Sequence, residues 1–92
     1  MTIEVRLTAN LQTLVGGQRS ILEEGDSVRE LLENVDSRYP GFKQVLVTDG
    51  QLHRFVNIYL NDEDIRFLEQ LDTPLNEGDV LSILPALAGG SA

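Results

Sequence analysis

The sequence contains no cysteine and no tryptophan, one histidine (His53) and one lysine (Lys43). Without cysteine there is no disulfide scaffold, no thiolate metal site and no side-chain sulfur nucleophile. A lone histidine cannot assemble a zinc site without thiolates or a carboxylate cluster beside it. Positive charge is also scarce: 7 basic residues stand against 15 acidic ones, for a net charge of −8. Such a surface repels phosphate backbones and anionic membranes, which argues against nucleic-acid and membrane partners. No apolar run approaches the roughly 18 residues of a membrane span, and no basic start leads into the apolar core of a signal peptide. These absences leave an acidic, partner-binding protein whose expected compartment is the cytoplasm.

What is present fits one domain with one core: 92 residues, of which 41% are hydrophobic. Thr2 to Thr8 alternates, with Ile3, Val5 and Leu7 on one side, and predicts a half-buried strand. An irregular stretch from Ala9 and the Gly16-Gly17 pair lead to a second strand, Arg19 to Glu23, in a hairpin. Ser27 and Glu30 spell a capping box, so a helix starts near Val28; Val28, Leu31, Leu32, Val35 and Tyr39 form its buried stripe, and Pro40-Gly41 ends it. Phe42 to Gln51 fits either a short helix or a loop, with Asp49-Gly50 as a turn. Phe55 to Leu60 is the most strand-like segment. Asn61 to Asp64 turns the chain, Ile65-Arg66-Phe67 reads as the hairpin return, and Val80 to Leu84 as the last strand. Two strands, a helix and three strands is an element order that several α+β folds share, among them the β-grasp domain, a mixed sheet of about five strands wrapping one main helix, which is the fold expected here. Residues 1–84 form this domain and residues 85–92 a flexible C-terminal tail.

Side-chain chemistry is thin. His53 has no serine or cysteine nucleophile at a recognisable spacing and reads as a residue at the mouth of a strand. Asp62-Glu63-Asp64 fails the register of a calcium loop, because the sixth position from Asp62 is Phe67 where glycine is required. Gly16-Gly17 lacks the further glycines and lysine of a phosphate loop and is a turn.

Two other features stand out. If Val56, Ile58 and Leu60 face the helix, alternation places Phe55, Asn57 and Tyr59 on the opposite sheet face, beside Val80, Ser82 and Leu84. That face is either a partner site or is covered by Phe42 to Gln51. The second feature is the tail, Pro85-Ala86-Leu87-Ala88-Gly89-Gly90-Ser91-Ala92, which carries no charge. Pro85 cannot donate to a sheet ladder and helps to end the strand. From Leu84 to Gly90 an extended thread reaches about 20 Å, and two glycines let it enter a channel only a backbone wide.

The ending Leu84-Pro85-Ala86-Leu87-Ala88-Gly89-Gly90 resembles the C-terminal tail of the ubiquitin-like sulfur carriers, the family of the molybdopterin synthase small subunit and the thiamine sulfur carrier. His53-Arg54-Phe55-Val56-Asn57-Ile58-Tyr59 with Asn61-Asp62-Glu63-Asp64-Ile65-Arg66-Phe67 is similar to the branch that serves cysteine or homocysteine synthesis. The resemblance implies a β-grasp carrier, itself no enzyme and holding no cofactor or metal, whose chemistry takes place at the carboxylate of Gly90. A ubiquitin-activating-type adenylyltransferase and sulfurtransferase would use ATP to adenylate that carboxylate and convert it to a thiocarboxylate. The acceptor would be a pyridoxal-phosphate-dependent synthase or, in the alternative branch, the molybdopterin synthase large subunit. Pro85, Ala86, Leu87, Ala88 and Gly89 would thread the partner's channel, while Phe55, Tyr59 and Leu84 dock the body. Because Ser91-Ala92 follows the diglycine, the resemblance also implies a precursor cut at the Gly90-Ser91 bond by a zinc metallopeptidase. A ubiquitin-like protein modifier, joined to amines through Gly90, is the rival use of the same terminus.

Overall fold

The structure, a computed structural model, describes residues 1–54 and 56–85. The alternating run at the start forms β1, Thr2–Leu7, with Ile3, Val5 and Leu7 buried as expected. The stretch that follows is more ordered than its sequence suggests. It forms a four-residue helix, α1 (Ala9–Gln12), and a 3₁₀ turn at Thr13–Val15. Leu11 and Val15, four residues apart, lie on one helical face and reach the core. Two apolar positions are too short a period to read from sequence. Gly16 and Gly17, at φ 70° and 83°, then reverse the chain into β2, Ser20–Glu24. This strand is one residue later than predicted, and Arg19 still closes the ladder through its carbonyl, which accepts the Leu7 N–H at 2.9 Å.

Helix α2 spans Val28–Arg38. Its cap differs from the standard box in one partner: Ser27 Oγ accepts the Glu30 N–H at 3.2 Å, but Glu30 Oε1 accepts the N–H of Asp26 at 2.6 Å. Val28, Leu31, Leu32 and Val35 are buried, and Tyr39 packs partly against the core. Past the helix, Asp36 Oδ1 accepts the N–H groups of Gly41 and Lys43 and fixes the reversal. The ambiguous segment resolves into a 3₁₀ turn, Lys43–Val45, and a small hairpin of β3 (Val47–Thr48) and β4 (Gln51–Leu52) around Asp49-Gly50. Phe42 and Leu46 enter the core and the segment packs against α2. It therefore does not cover the opposite face of the main sheet.

Strand β5, Val56–Leu60, and strand β6, Glu63–Asp64, pair around Asn61-Asp62, both at positive φ (49° and 76°), the geometry of a tight type I′ hairpin. The return strand is thus Glu63–Asp64, and Ile65–Phe67 forms a 3₁₀ turn instead. Ile65 is fully buried, and Asp64 Oδ1 caps the turn by accepting the Arg66 N–H at 2.8 Å. Burial of Ile65 pulls the chain out of the sheet plane. A further 3₁₀ turn, Gln70–Asp72, leads to Thr73, whose carbonyl accepts the Val28 N–H, and to Leu75, whose N–H reaches the Asp26 carbonyl. These bonds seat the loop against the start of α2.

The last strand, β7, runs Val80–Pro85. The main sheet has the order β2-β1-β7-β5-β6, with β1 and β7 parallel in the middle and the other pairs antiparallel. Leu81 and Ile83 face inward with Ile3, Val5, Ile58 and the apolar stripe of α2, forming a single core under one sheet face. This is the mixed five-stranded β-grasp arrangement. At the edge, Glu23 points inward and is held by Arg38 Nη1 at 3.0 Å, an inward charge that discourages pairing with another chain at β2.

Pro85 belongs to β7 as its last residue, opposite Val56, rather than standing beyond the strand. The ladder explains why proline is tolerated there. The Asn61 N–H bonds the Val80 carbonyl at 2.9 Å, which fixes Asn61 and Val80 as a bonded pair. Alternation then makes Tyr59–Ser82 and Asn57–Leu84 bonded pairs and Val56–Pro85 a non-bonded one. No N–H is needed from residue 85.

Candidate functional site

The face of the sheet away from α2 collects the polar members of each alternating strand together with a few apolar side chains. Register places Ser20, Arg6, Ser82 and Tyr59 in one cross-strand row and Leu22, Glu4 and Val80 in the next. Leu22 is 64% exposed and Leu84 37%, while Tyr59, Val80 and Ser82 are half-buried by their neighbours. Tyr59, Asp62, Ser82 and Leu84 line a shallow open depression on this face. Tyr59 and Leu84, both expected in a docking patch, are therefore brought together. Phe55, Ala86, Leu87, Ala88, Gly89, Gly90 and Ser91 lie outside the described residues.

The far end of β7 is where the tail begins, and three features surround it. Leu84 pairs with Asn57, and Pro85 with Val56. Arg66, from the 3₁₀ turn after β6, extends its guanidinium across the start of β5: Nη1 donates to Asn57 Oδ1 at 2.9 Å and Nη2 to the Val56 carbonyl at 2.7 Å and the His53 carbonyl at 3.2 Å. One strand to the other side, Thr8 follows Leu7, which pairs with Ile83. The Thr8 hydroxyl is shut off from solvent without a hydrogen-bond partner among the described residues. Next to Arg66 in sequence, Phe67 is 82% exposed.

Sequence reasoning missed Arg66 and Phe67 as members of this site, because it assigned them to a return strand. The signal was available in part: a sheet edge with no strand to cover it needs a multi-donor side chain nearby, and arginine is the side chain with five donors. His53 is exposed, with its backbone tied to Leu46 and Val56. Among the described residues no group of histidine or acidic side chains can hold a metal, and no helix is long and apolar enough to cross a membrane. Asp62 and Glu63 are exposed turn residues.

A β-grasp domain whose central strand runs straight into a charge-free diglycine tail has the form of a ubiquitin-like carrier or modifier. The chain belongs to the ThiS family, whose model matches residues 5–90. It is 41% identical to the sulfur carrier protein CysO of Mycobacterium tuberculosis, over 98% of this chain and all of that one. It is 31% identical to the small archaeal modifier protein 3 of Haloferax volcanii, again over 98% of this chain and all of the relative. Among solved structures it is similar to the Amycolatopsis orientalis BexX/CysO complex, with a TM-score of 0.91 at 44% identity, covering 96% of this chain and 99% of that one.

Proposed function

We propose that this protein is a sulfur carrier that delivers sulfide as a thiocarboxylate on Gly90, for the synthesis of cysteine or homocysteine. The observation that carries the reading is the place where the family match stops: it ends at residue 90, on the second glycine of the tail, six residues beyond Leu84 of the central strand. Likeness to CysO, a named sulfur carrier, supplies the cargo.

A carboxylate resists nucleophiles until it gains a leaving group. The sequence continues past Gly90 as Ser91-Ala92, so a zinc metallopeptidase first hydrolyses the Gly90-Ser91 peptide bond and frees the carboxylate. An activating enzyme then joins it to AMP from ATP, with release of pyrophosphate. A sulfur donor attacks the acyl carbon and AMP leaves, and the resulting thiocarboxylate is nucleophilic at neutral pH without any cysteine in the chain. Ala86 to Gly89 thread the partner's channel, with Pro85 held at the root by its pairing with Val56. The exposed face bearing Tyr59 and Leu84, with Phe55, docks the body. ATP and pyridoxal phosphate belong to the activating enzyme and the acceptor synthase.

Mass spectrometry of the protein from its native host tests this directly. The expected species ends at Gly90 and carries sulfur in place of one carboxyl oxygen; a chain that retains Ser91-Ala92 and stays unmodified under sulfur limitation overturns the proposal. Likeness to an archaeal modifier favours a second use of the same adenylate, transfer to an amine. Its mark is a ladder of higher-mass conjugates in lysates. Recovery of a molybdopterin synthase large subunit in place of a pyridoxal-phosphate enzyme would move the acceptor to the other branch.

A further inference from the structure

The edge of the sheet beside the tail is closed by a side chain. Val56 and Pro85 are a non-bonded pair, so the backbone polar groups of Val56 face away from β7, toward the side where β6 lies. Strand β6 ends at Asp64, three residues short of position 67, which the register would set opposite Val56, because the chain dives into the core at Ile65. Among the described residues, no strand therefore lies beside Val56 on that side. Its N–H turns back to the His53 carbonyl at 3.0 Å, and its carbonyl accepts Arg66 Nη2 at 2.7 Å. The same guanidinium reaches the carbonyls of His53 at 3.2 Å and Arg54 at 3.4 Å and the side chain of Asn57 at 2.9 Å. One half-buried cation thus spans residues 53–57 in place of the missing strand.

We infer that Arg66 is a positioning residue for the tail: by holding residues 53–57 it fixes the strand against which Leu84 and Pro85 are paired, and so sets the direction in which residues 86–90 leave the domain. The inference rests on the sulfur-carrier reading for the meaning of the tail. Its physical basis is preorganisation. A thread that must enter a narrow channel binds more weakly when its root samples several directions, and apparent affinity falls by the fraction of time the root is misaligned. Lysine cannot substitute, since a point charge with one reach does not bridge four acceptors held in a fork.

The test uses the chain ending at Gly90 and its activating enzyme, with ATP–pyrophosphate exchange followed against carrier concentration. Arg66→Ala is expected to raise the carrier's KM roughly tenfold with kcat nearly unchanged, and Arg66→Lys to lie closer to Arg66→Ala than to the parent. Arg38→Ala, which breaks the distant ion pair with Glu23, is the control for general destabilisation and is expected to leave KM unmoved. In the free carrier, amide exchange should quicken at Val56, Asn57 and Leu84 in the Arg66 variants while Val5 and Leu32 keep their protection. A KM that stays at the parental value, or rises equally in Arg38→Ala, overturns the positioning role. So does a raised KM without local opening in the free carrier, which would make Arg66 a direct partner contact. If Arg66→Ala does not fold, Arg66→Lys carries the same two readouts. Failure of the carrier reading itself is separate: the parent chain ending at Gly90 would then support no exchange at all.

Discussion

Gly25 sits buried between β2 and α2, and a Cβ at this position lies 2.8 Å from the backbone nitrogen of Leu31 and 2.9 Å from its Cα. Backbone cannot yield as a flexible side chain does, so the helix itself has to move off the sheet. Gly25→Ala is therefore expected to destabilise the fold by about 1–3 kcal/mol, the usual range for overpacking, as read from the midpoint of urea unfolding. An unchanged midpoint would show that the β2–α2 connection has slack which the close approach denies. Thr8 calls for the opposite change. Its hydroxyl is buried without a partner among the described residues, and although the residue precedes α1 it makes no side-chain cap bond. Thr8→Val keeps the β-branched shape and removes the unsatisfied group, with an expected gain of about 1 kcal/mol in the same assay. A loss would mean that the hydroxyl finds an acceptor in solution.

Single elements show where sequence suffices. Helix α2 was legible because its cap, stripe and stop all lie within one local window; Ser27→Ala should cost about 1 kcal/mol, since the serine oxygen accepts the Glu30 N–H. The β5–β6 turn was legible as a turn but not in its register. Asn61 is needed, because its side chain donates to Asp79 and accepts the Val80 N–H, whereas Asp62 sits at φ 76° and lines the outer depression. Asp62→Gly gives the Asn-Gly pair that a type I′ turn prefers and is expected to raise stability by about 0.5–1 kcal/mol. A drop in thermal midpoint would instead assign the acid a favourable contact. The hidden parts have a common cause. Whether Ile65 continues a strand or dives inward depends on a core assembled from residues 30 or more positions away, Ile3 and Leu32 among them. The same dependence concealed Arg66, whose acceptors come from a different segment, and made the Phe42–Gln51 stretch ambiguous until Phe42 and Leu46 were seen to enter the core. Tyr59 and Leu84 could be placed on one face from sequence because strand alternation is local.

At the scale of the whole molecule the −8 charge acquires a geometry. Arg6, Arg29, Arg38 and Lys43 are each paired with an acid of the same chain, and Arg66 spends its donors on backbone carbonyls and Asn57. Glu4 is offset on the outer face by Arg6, and Glu24, Asp62 and Asp64 border that face, on which Tyr59 and Leu84 lie. The net field at that face is therefore negative, while the tail proposed to enter the partner carries no charge. On the proposed carrier reading, these two parts act at different stages of association. The acidic body draws a basic partner surface from a distance, an effect screened within about 10 Å at 0.1 M salt. The tail contributes only after contact, through close fit that salt does not reach. Association of the Gly90-terminated carrier with its activating enzyme should accordingly slow by roughly tenfold as salt is raised from low to high, with dissociation altered by less than about twofold. Stopped-flow fluorescence on a labelled enzyme separates the two rates. Salt dependence that appears mainly in the dissociation rate would place charged contacts inside the closed complex, and the division of labour between acidic body and neutral tail would not hold.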